Sequence, residues 1–83
     1  MSGGMCEKQP LDQKAQDLFA RHREEIKSKL GAKDVAAETF CKQVVNGTNY
    51  QFHGKADNKA FQANIFEPLN SEGKSVLKDA KLC

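Results

Sequence analysis

An Asn-Gly pair in mid-chain constrains the fold more than any other feature of this 83-residue sequence. Asn46 and Gly47 lie between two segments that alternate apolar and polar residues, and both tolerate the positive φ angles of a tight reversal. The pair therefore predicts an antiparallel hairpin. Two valines, Val44 and Val45, come directly before it, whereas a turn that serves only the fold is usually polar. A narrow apolar tip of this kind suits insertion into a cleft on another molecule.

A continuous apolar stripe precedes the hairpin and predicts one long amphipathic helix. Its members recur at steps of three and four residues: Leu11, Ala15, Leu18, Phe19, His22, Ile26 and Leu30. Pro10 suits the first turn of this helix, and Gly31 suits its end. His22 is expected to be a boundary residue whose ring nitrogens have partners within the protein, not a ligand or a base.

Four β-rich segments follow the helix, at residues 39–45, 48–53, 61–65 and 75–78. The stretch 54–59 is turn-like, and 68–73 forms a second loop. One helix followed by antiparallel strands is an α+β pattern, in which we expect the helix stripe to lie across the apolar face of the sheet. The 43–47 and 68–73 connections then lie side by side at one end of that sheet.

Length and composition restrict the class of protein further. The chain offers room for a single domain, residues 1–83, that includes a glycine-containing arm at 1–9. A formal charge of +2, with no basic cluster beside stacking aromatics, argues against a nucleic-acid partner. No apolar run approaches the length of a membrane span, and the N-terminus lacks the apolar stretch of a secretory signal. We therefore expect a cytoplasmic protein with no membrane association.

The cysteines do not form a recognisable framework. Cys6, Cys41 and Cys83 are odd in number and far apart, so they are expected to be reduced thiols. Together with His22 and His53 they show no metal-ligand spacing, and we expect no metal and no other cofactor. Cys6 and Cys83, near the two ends, could form disulfide-linked dimers on oxidation.

With these elements placed, the chain resembles the stefins, the intracellular single-domain members of the cystatin superfamily. The pentapeptide Gln43-Val44-Val45-Asn46-Gly47 is similar to the Gln-x-Val-x-Gly loop of that family, and Thr48-Asn49-Tyr50 continues in the stefin manner. Gly3-Gly4-Met5 resembles the family's N-terminal glycine and the apolar residue after it. Asp57-Asn58-Lys59 and Ile65-Phe66 also stand where stefins carry similar residues. In the second loop the order is Pro68-Leu69-Asn70, where stefins generally present Leu-Pro.

The resemblance implies both a fold and a function. The fold is an antiparallel sheet of four to five strands wrapped around one long helix. The function is reversible, tight-binding inhibition of papain-like cysteine proteases of the cathepsin L, H and B class. The arm, the first hairpin and the second loop together block the active-site cleft as a tripartite wedge. The protease-binding residues that this implies are Gly3, Gly4, Met5, Gln43, Val44, Val45, Asn46, Gly47, Leu69 and Asn70.

Two alternatives come from other classes of protein. A thiol enzyme could use Cys41 and His53, although nothing in the sequence supplies an orienting third group or an oxyanion site. A non-inhibitory interaction module could keep the fold and lose the wedge, either as a monomer or as a domain-swapped dimer. The inhibitor hypothesis favours a monomer. It also predicts that Gly47→Glu weakens inhibition far more than it weakens folding.

Overall fold

The computed structural model describes residues 8–45, 47–68 and 74–83 and contains one helix and one antiparallel sheet. The elements are β1 (Gln9–Pro10), α1 (Gln13–Leu30), β2 (Val35–Val45), β3 (Gly47–Ala56), β4 (Lys59–Pro68) and β5 (Val76–Leu82). The five strands lie in the order β1-β2-β3-β4-β5, so each strand pairs with its neighbour in sequence. The α+β fold class expected from the sequence is confirmed, in line with a cystatin-like arrangement. Within the described residues, no helix has the length and apolar character needed to cross a membrane.

The helix begins three residues later than Pro10, where the sequence placed its start. Pro10 belongs to β1, and the side chain of Asp12 caps the helix by accepting a hydrogen bond from the backbone N–H of Ala15, at 2.8 Å. The predicted end is confirmed, since Gly31 adopts a left-handed conformation with φ of 67°. His22, as expected, has partners for both ring nitrogens: Ser75 Oγ at 2.7 Å and Glu25 Oε1 at 3.2 Å.

The core forms where the predicted helix stripe meets one face of the sheet, which we call the inner face. The helix contributes Ala15, Leu18, Phe19 and Ile26, and the strands contribute Val35, Phe40, Tyr50, Phe52, Ala56, Phe61, Ala63, Ile65 and Leu77. The Phe19 ring lies 5.4 Å from that of Phe52 and 6.2 Å from that of Phe61, centroid to centroid. Aromatic packing of this kind adds to the free energy of burial. It holds the helix against the middle strands.

Two irregularities interrupt the ladders of the sheet. The pairing of β2 with β3 shifts between Ala37 and Thr39, and the pairing of β4 with β5 shifts between Asn64 and Ile65. In each case one strand carries an additional residue, Glu38 on β2 and Lys78 on β5. An extra residue reverses the alternation of side chains, so an alternating sequence pattern ends at that residue. Both strands therefore extend beyond the bounds that the pattern predicted.

The cysteines differ from the expectation of three reduced thiols. Cys41 is buried on β2 and is disulfide-bonded. Cys83 is exposed and free. Cys6 lies outside the described residues. The expectation is therefore wrong for Cys41, because a pattern of wide sequence spacing does not reveal which cysteines the fold brings together.

Candidate functional site

The predicted hairpin connects β2 to β3. Val45 pairs with Gly47, Val44 with Thr48 and Gln43 with Asn49, so the ladder is regular up to the last pair. Asn46 lies between the two strands and outside the described residues. The end of the sheet at which Val45 and Gly47 pair is called the hairpin end below.

Val44 is the most exposed large hydrophobic residue among those described, with 73% of its surface accessible. Gln43 beside it is exposed as well, and the side chain of Val45 is not among those described. Covering the isopropyl side chain of an exposed valine with a partner is favourable by roughly 25 cal/mol per Å2 of apolar surface removed from water. Val44 lies on the same face of β2 as Phe40, the inner face, but its exposure shows that the protein's own helix does not cover it. It is therefore available for contact.

Gly47 has the opposite character, because it is buried and its φ of 126° is unfavourable for residues with a side chain. A Cβ at this position would lie 2.6 Å from Phe66 Cζ and 2.7 Å from the carbonyl oxygen of Glu67. The phenyl ring of Phe66 thus covers the glycine from the adjacent strand. This finding conflicts with the expectation for Gly47→Glu, since any side chain there disturbs folding as well as contact.

Phe66 is a residue whose part in the hairpin end the sequence did not reveal. It pairs with Asn49, two residues along β3 from Gly47, and so lies diagonally across from the glycine. An aromatic ring packed diagonally over a strand glycine replaces the missing side-chain contacts. On its other side, Lys78 Nζ of β5 lies 5.7 Å from the centre of the Phe66 ring. The ring therefore links β3, β4 and β5 behind the hairpin.

The inner face of the hairpin end carries a small polar cluster. Glu67 Oε1 accepts a hydrogen bond from Tyr50 Oη at 3.5 Å and lies 3.3 Å from Lys14 Nζ at the start of α1. The hydrogen bond with Glu67 raises the pKa of Lys14. Burial raises the pKa of Tyr50. Because the Lys14 side chain is 67% exposed, water screens its ion pair, and the cluster orients α1 more than it stabilises it.

The other two parts of the implied wedge lie outside the described residues. They comprise Gly3, Gly4 and Met5 in the arm, and Leu69 and Asn70 in the second loop. Their described neighbours converge on the hairpin end. Pro68, the last residue of β4, pairs with Gly47. β1 is antiparallel to β2, with Gln9 opposite Phe40 and Pro10 opposite Thr39, so its N-terminal end points toward the hairpin end.

The alternative of a thiol enzyme depends on Cys41 and His53. A disulfide-bonded sulfur is not a thiolate nucleophile, so Cys41 does not meet that requirement. His53 Nε2 instead lies 3.0 Å from Gln51 Oε1 on the same strand. The pKa of His53 is lowered by burial and by the charge of Lys8. Cys41 is thus engaged in a disulfide, and His53 in a contact within β3.

Comparison with known proteins adds no family to this description. No protein-family model matches the chain, and no curated protein sequence matches it significantly. The resemblance to stefins therefore rests on the residues quoted above.

Proposed function

We propose that this protein is a reversible, tight-binding inhibitor of papain-like cysteine proteases of the cathepsin L, H and B class. The observation that carries the proposal is the solvent exposure of Val44 on a regular hairpin within a pentapeptide of the Gln-x-Val-x-Gly type. An inhibitor of this class must fill the cleft above a catalytic thiol without presenting a cleavable bond. A hairpin suits this task because the ladder already holds its backbone groups.

The proposed contact surface combines apolar side chains with a preformed backbone. Val44 and Val45 supply apolar surface, and Gln43 supplies hydrogen-bonding groups at the base of the hairpin. Gly47, covered by Phe66, keeps the reversal narrow. Little conformational entropy is lost when a preformed segment docks, so a modest interface can bind tightly. Gly3, Gly4 and Met5 of the arm, together with Asn46, Leu69 and Asn70, complete the proposed wedge.

A titration of active-site-quantified papain tests the proposal. We expect stoichiometric loss of activity that is recovered on dilution and displacement. The Cys83→Ser variant is used throughout, so that the exposed Cys83 thiol cannot be oxidised to a mixed disulfide with the catalytic cysteine. Absence of inhibition by this otherwise unchanged protein would reject the proposal and favour the alternative, a non-inhibitory interaction module, which a domain-swapped dimer on gel filtration would support.

A pair of matched substitutions tests the role of Val44. Val44→Asp replaces an exposed residue, so we expect its unfolding free energy to stay within about 0.5 kcal/mol of the parent. Its affinity for papain should fall at least about tenfold, because a carboxylate is desolvated without a partner. Leu82→Asp is the control, since Leu82 is exposed and pairs with Phe61 at the opposite end of the sheet. Equal loss of affinity in both variants would contradict binding through the hairpin end.

The proposal also includes a cytoplasmic location. Asn46-Gly47-Thr48 matches the acceptor pattern for N-glycosylation, and a sugar there would cover the proposed contact surface. The disulfide of Cys41 argues in the other direction, because stable disulfides are rare in the cytosol. Trapping thiols in intact cells with an alkylating reagent distinguishes a cytoplasmic location from an oxidising compartment. A fully oxidised Cys41 with a glycosylated Asn46 would overturn the cytoplasmic location.

A further inference from the structure

The strand β5 is an edge of the sheet, with β4 on one side and no other described strand on the other. The Cys83 N–H donates to the carbonyl of Ala60 at 2.9 Å, so the backbone of Cys83 faces β4. Because backbone groups alternate in direction along an antiparallel strand, those of Leu82 and Ala80 face away from the sheet. These outward groups can accept a further strand.

The side chains of β5 are complementary to those of the same strand in reverse. Val76 and Leu82, near its two ends, are exposed by 52% and 42%. Asp79 and Lys81, both exposed, lie on the outer face, opposite Asn64 and Gln62. Ala80, the small residue between them, lies opposite Ala63 on the inner face.

We propose that β5 is a docking surface for the β5 strand of a second copy of this chain, paired antiparallel about a two-fold axis at Ala80. Ala80 then faces Ala80 of the second copy. Asp79 faces Lys81 on the outer face, and the symmetry repeats this opposite-charge pair. Beyond the additional residue Lys78, Leu77 faces Leu82 on the inner face, and Val76 faces Cys83 on the outer face.

The cross-strand pairs favour a two-fold axis at Ala80 over one at the adjacent residue, Asp79. A two-fold axis at Asp79 would place two carboxylates directly opposite each other, which is destabilising. With the axis at Ala80, every cross-strand pair is either apolar with apolar or acidic with basic. The extra residue at Lys78 is needed for this match, because it brings Leu77 onto the same face as Ala80 and Leu82.

Lysines commonly protect an edge strand against such pairing. Here Lys78 is directed over the Phe66 ring, 5.7 Å from its centre, and the ammonium of Lys81 would meet a carboxylate. The protection is therefore reduced for this one self-complementary register. Pairing of two seven-residue strands buries little surface, so the dimer is weak and reversible, below the range of stable interfaces. The proposal is independent of protease inhibition.

Disulfide trapping tests the register directly. In the Val76→Cys variant, the new cysteine faces the native Cys83 of the second copy, at a pair where strands approach to about 4.5 Å between Cα atoms. Val44→Cys is the control, because Val44 is also exposed but lies off β5. Under mild oxidation at about 0.1 mM protein we expect Val76→Cys to form a 76–83 crosslinked dimer at least about tenfold faster than the control. Equal rates, or crosslinks only between two Cys83 residues, would overturn the proposal, since the two Cys83 lie roughly 20 Å apart in this register.

Sedimentation equilibrium of the unsubstituted chain and of charge variants, without reductant, tests the charge pairing. Lys81→Glu converts both opposite-charge pairs into like-charge pairs, so its dimer dissociation constant should rise about tenfold or more. Lys55→Glu makes the same change of net charge at an exposed position of β3 and should leave that constant unchanged within about twofold. A chain that remains monomeric up to about 1 mM would overturn the proposal. So would a dimer that persists on dilution and ignores Lys81→Glu, as a domain-swapped dimer would.

Discussion

At the scale of single residues, different positions of the hairpin end provide its exposed contact surface and maintain its backbone conformation. Val44 is exposed and leaves the fold unconstrained, whereas Gly47 is buried beneath Phe66 at a φ of 126°. Both belong to the same pentapeptide, and a sequence pattern gives them equal weight. Their environments show that substitution at Val44 probes the surface of the protein, while substitution at Gly47 probes its folding.

We predict that Gly47→Ala destabilises the protein by about 2 to 4 kcal/mol, because its Cβ meets the Phe66 ring and the backbone conformation disfavours a side chain. Urea unfolding of Gly47→Ala, Phe66→Ala and the double variant measures the two causes separately. Removing the ring should reduce the cost of Gly47→Ala by about 1 kcal/mol but not abolish it, since the φ angle and the Glu67 carbonyl remain. Strict additivity of the two changes would contradict the contact with Phe66.

At the scale of elements, the sequence predicted type and order better than extent. The helix stripe from Ala15 to Leu30 and the hairpin between β2 and β3 are regular local patterns, and both are confirmed, whereas Leu11 of the predicted stripe precedes α1. β2 begins at Val35 instead of residue 39, and β5 continues to Leu82 instead of ending at 78. In both strands an extra residue, Glu38 or Lys78, interrupts the alternation that identifies a strand. An alternating template therefore stops at the bulge while the strand continues.

In the candidate site, likewise, the sequence predicted the features that depend on local pattern and not those that depend on contacts distant in sequence. Val44 could be placed at the hairpin end because its position depends on a nearby turn. The contact of Phe66 with Gly47 depends on the register between β3 and β4, which no local pattern specifies. The disulfide of Cys41 is likewise a long-range feature.

The β3–β4 turn is another element that local sequence predicted, although the predicted range, 54–59, is longer than the turn itself. Ala56 pairs with Lys59, so the turn consists of Asp57 and Asn58 alone, with φ of 50° and 72°. The Asp57 carboxylate accepts hydrogen bonds from the backbone N–H of Lys33 at 2.9 Å and of Asp34 at 3.1 Å. One side chain thus joins the hairpin to the connection between α1 and β2.

We predict that Asp57→Ala destabilises the protein by about 1 to 2 kcal/mol, since two backbone donors lose their acceptor at a partly solvated site. Asp57→Asn keeps one acceptor oxygen and the tolerance for positive φ, so it should cost less than half as much. Asn58→Gly is the control and should be neutral or slightly stabilising, because glycine adopts this conformation without strain. Thermal unfolding of the three variants gives the comparison, and equal losses for the alanine and asparagine variants would contradict the assignment.

At the scale of the whole molecule, a chain of polar side chains crosses the outer face of the sheet. Asn64 Nδ2 donates to Asp79 Oδ1 at 2.7 Å, and Gln51 Nε2 donates to Asn64 Oδ1 at 3.2 Å. A carboxylate oxygen accepts, so the amide nitrogen of Asn64 donates to Asp79 and its amide oxygen is left to accept from Gln51. Gln51 Oε1 is left to accept from His53 Nε2, at 3.0 Å, which assigns the ring proton to that nitrogen. Three strands are thereby joined outside the hydrophobic core.

The pH dependence of stability should report the histidine of this chain of hydrogen bonds. Burial, with a smaller effect of Lys8, lowers the pKa of His53 in the folded state below the value near 6.5 of an unfolded chain. Between those two values the unfolded state binds more protons than the folded state, so the unfolding free energy falls as pH decreases below about 6.5. Urea unfolding from pH 7 to pH 5 should show this slope, and it should be shallower in His53→Gln, whose amide donates to Gln51 without titrating. The imidazole resonances of His53 give its folded pKa independently. A value at or above 6.5, or an unchanged slope in His53→Gln, would show that protonation of this ring does not oppose folding.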